Sequence, residues 1–205
     1  MLDIKQYLKS VADKLPNFEQ KETLQFPDAT IDVSRIKLIM ISEVVPSNPA
    51  DYFYSRNPDA AFMSTTIPIF NSAGADVKTI DEIIDMGVYI TTASKIPKDG
   101  YTIPTQTIKD QLPILEAELD LFPNLKVIML MGDVAKMAFN TIARSRTGKS
   151  VIPSESTYKI RGNEYYYGAI RVFPSYIITG GNILIEKSKV DMINGDLIRS
   201  FELIK

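Results

Sequence analysis

Four short, predominantly apolar or β-branched runs constrain this chain more than anything else in it: Leu38–Ile41, Val88–Thr92, Lys126–Met131 and Ala169–Phe173. Each has the length and make-up of a strand buried on both faces. The segments between them follow a helical period instead. Asp76 can cap a helix containing Val77, Ile80, Ile83 and Ile84, with Gly87 suited to its end. Ile108, Leu112, Leu115 and Leu119 mark another, with Thr105 or Thr107 as cap, Pro123 after its end and Pro113 as a point where it can kink. Gly132-Asp133 turns the chain into a helix with Val134, Met137, Ala138 and Ile142, and Val190, Ile193, Leu197 and Phe201 share one face of a last helix. At the amino terminus Ile4, Leu8, Val11 and Leu15 predict an amphipathic helix over 3–14, ended by Pro16, and residues 17–34 read as an extended polar connection. Tyr158–Tyr167 reads as a hairpin around Gly162-Asn163.

Strands alternating with helices predict an α/β fold, a three-layer α/β/α sandwich on a central, mostly parallel four-stranded sheet with right-handed crossovers. At 205 residues one domain over 1–205 is expected, with the helix and lead-in over 1–35 and the core over 36–203.

Composition narrows the chemistry. The chain has no Cys and no His. Disulfides, iron–sulfur clusters, thiolate zinc sites and imidazole general bases are therefore excluded, and neither metal nor other cofactor is expected. Catalysis would fall to carboxylates, hydroxyls, amides, Lys or Arg. The charged amino terminus lacks the apolar stretch of a signal peptide, and no run reaches membrane-spanning length, so a soluble, cytoplasmic, monomeric protein is expected. Net charge is −2, but residues 1–131 carry 12 basic and 18 acidic side chains and residues 132–205 carry 11 and 7. The excess of Arg144, Arg146, Lys149, Lys159, Arg161 and Arg171 over Glu155 and Glu164 reads either as a phosphate-binding face or as ordinary solvated surface.

The first strand runs into the polar, proline-stiffened Ser42–Pro49, and α/β proteins place their sites at such carboxyl ends. Glu43 stands there as a carboxylate able to orient water or stabilise a cationic transition state, or as a surface salt-bridging group. The following loop holds Tyr52, Phe53, Tyr54, Phe62 and Phe70, with Pro58 and Pro68 set against long helices; it reads equally as a functional loop or a small hydrophobic cluster. Pro174-Ser175-Tyr176 brings two hydroxyls to the edge where Glu43 lies. RTGKS at Arg146–Ser150 matches only the end of a phosphate-binding loop, since position 143 is Ala and a helix precedes it, so a flexible basic loop is the expectation. Gly132-Asp133-Val134 could offer backbone N–H groups to an anion, although a tight turn with a capping Asp explains it more simply.

In their order, Ile41-Ser42-Glu43-Val44-Val45-Pro46, then YITTASKIP, IPTQTIKDQLPILEAEL, LKVIMLMGDVAKMAF and VFPSYIITGG resemble the uracil-DNA glycosylase superfamily, and most its branch related to the family 4 enzymes, over roughly residues 36–203. The resemblance implies a DNA glycosylase that hydrolyses the N-glycosidic bond of a damaged or deaminated base, with uracil-containing or otherwise damaged DNA as partner. The alternative is a nucleic-acid or nucleobase-binding protein of the same fold with weakened catalytic groups. Carried over, Glu43 would be catalytic and serve the sugar. Phe62, or Phe70, would stack the base, while Thr92, Ser175 and Tyr176 would contact it. Ser42, Pro46 and Lys95 would meet the DNA backbone. The family's Asn falls at Thr92, its last-motif His at Ile177 and its first-motif Gly at Ser42, and the cluster cysteines are absent.

Overall fold

The structure, a computed structural model, describes residues 1–15, 23–100 and 102–205. Pro16 and the start of the expected 17–34 connection lie outside the described residues. Two residues, β1 (Leu2–Asp3), pair antiparallel with β2 (Thr30–Ile31), and Asp3 caps α1 (Ile4–Asp13) by accepting the Gln6 N–H. Ile4, Leu8 and Ala12 are buried, which fixes the apolar stripe of α1 as core rather than surface.

The main sheet has five strands. β3 (Leu38–Val44), β4 (Val88–Ser94), β5 (Val127–Met131) and β7 (Ile170–Ser175) run parallel, and β6 (Tyr165–Tyr167) pairs antiparallel with β7, in the order β4-β3-β5-β7-β6. The expected count of four strands is thus short by β6. A hairpin does form, but later than expected. Ser156 leads into a short helix, α6 (Thr157–Ile160), and the chain reverses after Tyr167, where Gly168 takes φ +60°. Thr157 and Ile160 are buried and Tyr158 and Lys159 exposed, a helical turn's pattern and not a strand's alternation.

The remaining helices are α2 (Ala61–Ser72), α3 (Ile80–Asp85), α4 (Thr105–Asp120), α5 (Asp133–Thr147) and α7 (Lys187–Ile204). Register assigns the layers. Ile41, Thr91, Leu130 and Pro174 lie side by side. Thr91 donates to Glu118 on α4, so this side of the sheet faces α4, while the next residue of β7, Ser175, points the other way and donates to Asp196 on α7. α1 and α5 pack with α4, and α2 packs with α7, which completes the sandwich.

Several local expectations yield to packing. α2 runs through Pro68 because Thr65, Thr66, Ile69 and Phe70 are buried, and Phe70 packs on Phe201 of α7. α4 likewise continues through Pro113, with neither Thr105 nor Thr107 as cap. The cap of α3 is Thr79, in a reciprocal capping box with Glu82, not Asp76. β7 continues through Pro174 to Ser175; β6 reaches only Val172, so Pro174 sits where β7 has a neighbour on one side only.

The aromatic loop takes the cluster reading. Tyr52, Phe53 and Tyr54 are buried, and their rings pack with Phe62 and Tyr89. Tyr54 OH donates to Ile90 O of β4 at 2.7 Å, whereas Tyr52 OH is buried with no hydrogen-bond partner among the described residues. Tyr54→Phe is therefore expected to lower stability by about 1 kcal/mol in urea unfolding, and Tyr52→Phe to leave it unchanged or raised.

Candidate functional site

The chain leaves β3 for β4 on one side and then crosses to β5 on the other. That reversal opens a crevice outside the carboxyl ends of β3 and β5, the place where open α/β sheets bind ligands. Glu43, the penultimate residue of β3, lies in it. Its Oε1 accepts the Val134 N–H at 3.1 Å, in the first turn of α5, where unpaired amides and the helix dipole favour a carboxylate. Gly132 makes this approach feasible. It has φ +100°, and a Cβ there would stand 2.4 Å from Glu43 Oε1 and 2.8 Å from Ile177 Cγ1. The Gly132 N–H donates to Ser175 O, tying the end of β5 to that of β7.

A cavity of about 590 Å³ opens over these groups. Glu43, Gly132, Tyr158, Tyr176, Ile177 and Asn182 line it. Asp133, Glu186 and Lys189 add charge at its walls. Lys136 holds one wall in place. Its Nζ bonds Asp133 Oδ1 at 2.7 Å, Glu155 O at 3.1 Å and Thr157 Oγ1 at 3.2 Å, tying α5 to the segment that carries Tyr158.

Of the residues singled out from sequence, Glu43, Gly132, Asp133, Tyr176 and Ile177 meet in this cavity. The others do not. Thr92 is fully buried, its hydroxyl beside that of Tyr52 and without a hydrogen-bond partner among the described residues, and burial pushes the Tyr52 phenol well above the ordinary tyrosine value. Ser175 lies behind the sheet, where Oγ donates to Asp196 Oδ2 at 2.8 Å. Phe62 packs into the aromatic cluster and Phe70 is fully buried. Ser42 is buried opposite Thr92, and Pro46 is buried with its carbonyl accepting from Gln25.

Lys95 is sealed in the core and offers no surface to a DNA backbone. Its Nζ donates to Glu118 Oε2 at 2.6 Å, Thr91 Oγ1 at 2.6 Å and Thr92 O at 2.8 Å, and Glu118 Oε1 accepts from Tyr89 OH and Thr91 Oγ1. All three ammonium protons are used.

The basic excess of the carboxyl-terminal third is also reduced. Arg146 bonds Glu116 and Asp120, Arg161 bonds Asp196, and Arg171 donates to the carbonyls of Asn163, Tyr165 and Val172. That leaves Arg144, Lys149 and Lys159 without a carboxylate partner among the described residues. Arg144 lies in a depression that shares Asp133 and Ser156 with the cavity.

Sequence reasoning missed Tyr158, Asn182 and Lys136. The available signal for Tyr158 was the polar Glu155-Ser156-Thr157 ahead of it, a helix entry rather than a strand. Among the described residues no three His, Cys, Asp or Glu side chains gather as a metal site, and no helix is long and apolar enough to cross a membrane.

No family model matches the chain, and no curated protein does. Among solved structures, the chain is similar to the wild-type UNG of Nitratifractor salsuginis at 9% identity and a TM-score of 0.42, over 94% of this chain and 85% of that one.

Proposed function

We propose that this chain is a DNA glycosylase of uracil-DNA glycosylase-like architecture, a single domain over residues 1–205 with its core over 36–203. In this reading it hydrolyses the N-glycosidic bond of a damaged base lodged in the cavity at the ends of β3, β5 and β7. The observation that carries the reading is the position of Glu43. It is a carboxylate held by a helix amino terminus on the floor of a cavity of nucleoside size, in the crevice where the sheet order reverses. Cleavage builds positive charge on the sugar, and a fixed carboxylate stabilises it and can take a proton from the attacking water. The ordered motifs around Glu43, Thr92, Gly132 and Pro174 support the same reading. Tyr158 and Tyr176 take the stacking and hydrogen-bonding roles, in place of Phe62, Thr92 and Ser175. Arg144, Lys149 and Lys159 are the cations free to meet phosphates, in place of Lys95.

Glu43→Gln keeps an acceptor for the Val134 N–H and removes the charge. Across a panel of labelled oligonucleotides carrying uracil, hypoxanthine, xanthine or a methylated purine, the wild type is expected to generate abasic sites from at least one, scored by alkaline scission. The variant is expected to be slower by about 10²-fold or more. Equal scission by both would remove Glu43 from the mechanism. A second reading, recognition of the base without cleavage, is favoured by Ile177, which puts an apolar side chain against Glu43 where a proton donor would help the base depart. Retention of intact DNA, with affinity falling as salt rises, is its signature.

A further inference from the structure

The charge of the cavity and the nature of the side chain facing Glu43 restrict what can leave from it. Three carboxylates and one ammonium line it: Glu43, Asp133, Glu186 and Lys189. Two of the carboxylates are compensated, Asp133 by Lys136 and Glu186 by Lys189. Glu43 has no cationic partner among the described residues; the Val134 N–H is its hydrogen-bond donor. Two phenol rings, Tyr158 and Tyr176, line the same space, and Tyr158 is 74% exposed at its rim. An uncompensated carboxylate beside aromatic rings is the arrangement that holds an organic cation. Ile177, converging with Glu43 on Gly132, has no proton to give.

Resting on the glycosylase reading, we propose that the base taken by this cavity is itself cationic, a purine alkylated on a ring nitrogen. Such a base needs no acid. When the C1′–N bond breaks, its electron pair moves onto the ring and cancels the positive charge, so the base departs neutral. The oxygen of a water molecule bonds to C1′, and the water's proton passes to Glu43 and on to solvent. The cationic character that develops on the sugar is met by Glu43. An ordinary base would leave as an anion, into a cavity with an excess of carboxylates and an apolar side chain where a donor would be required.

Two measurements on the full chain test this separately from the glycosylase reading. In calorimetry at mildly acidic pH, N7-methylguanosine is expected to bind about tenfold more tightly than guanosine, and Glu43→Gln to erase the difference. Equal affinity for the two nucleosides, or binding of neither, overturns the proposal whatever the chemistry. In the second, dimethyl-sulfate-treated DNA and uracil-containing DNA are compared by chromatography of released bases. Release of N7-methylguanine or N3-methyladenine above the spontaneous rate, with uracil retained, is expected. Comparable release of uracil overturns the cationic substrate class and leaves the glycosylase reading standing. A retained preference for the cationic nucleoside with no base released from either DNA supports the cation site and overturns the glycosylase reading.

Discussion

Lys95→Met is expected to lower stability by about 3–5 kcal/mol, the usual consequence of removing one partner from a buried ion pair. The reason lies in what stays behind. Glu118 is fully buried on α4, and its carboxylate would keep two hydroxyl donors, Tyr89 and Thr91, but no cation. Urea unfolding reads the loss as a lower midpoint. Lys95→Met combined with Glu118→Leu should recover much of it, since no buried charge is then left unpaired. The pair also has a pH signature. Burial holds the Lys95 ammonium below the ordinary lysine value of 10.5, despite Glu118. The unfolded chain therefore binds this proton more tightly than the folded one. Its contribution to stability is weakest at low pH and rises as pH climbs from the lowered folded value toward 10.5. The double variant should lack that slope.

Gly132→Ala is expected to damage stability and function together. A side chain at φ +100° is strained wherever it sits, at a cost of about 1–3 kcal/mol. Here the added methyl would also overlap Glu43 Oε1 and Ile177 Cγ1. The carboxylate must move, and its bond from the Val134 N–H breaks with it. Gly148→Ala is the matched control. Gly148 has φ +76° but nothing within 4 Å of the added carbon, so it should show the backbone penalty without loss of activity. Comparing the two variants by thermal unfolding and by base release separates strain from displacement of Glu43.

The sheet and its helices were legible in the chain because buried parallel strands leave short, largely apolar, β-branched runs, set apart from helix segments by their length and flanking turn residues. Leu38–Ile41 starts where β3 starts and stops three residues before its end, and Lys126–Met131 begins one residue before β5 and ends with it. Glu43 was legible for the same reason, as the first carboxylate after such a run. What failed depended on contacts distant in sequence. Lys95 looks like a loop cation until Glu118, 23 positions later, is folded over it. Arg146 and Arg161 look like a phosphate face until Asp120 and Asp196 are brought to them. Thr92 and Ser175 stand at the expected strand ends, but the pleat turns both to the face away from Glu43, and one residue of register decides that. Tyr158 reads as a strand residue because Gly162-Asn163 suggests a hairpin turn after it, whereas the segment begins as one turn of helix anchored by Lys136 from another element.

The two margins of the sheet carry a consequence for how copies of this protein meet at high concentration. On β4, Tyr54 takes up the Ile90 carbonyl, and the Gln25 amide takes up that of Lys95 just beyond the strand. On the opposite margin, β6 is three residues long, and Arg171 reaches from β7 to the Tyr165 carbonyl. Neither side presents a long row of free peptide groups to template another chain's strand. Strand addition at either margin would compete with these side-chain bonds, so crowding is expected to act first through side-chain surfaces.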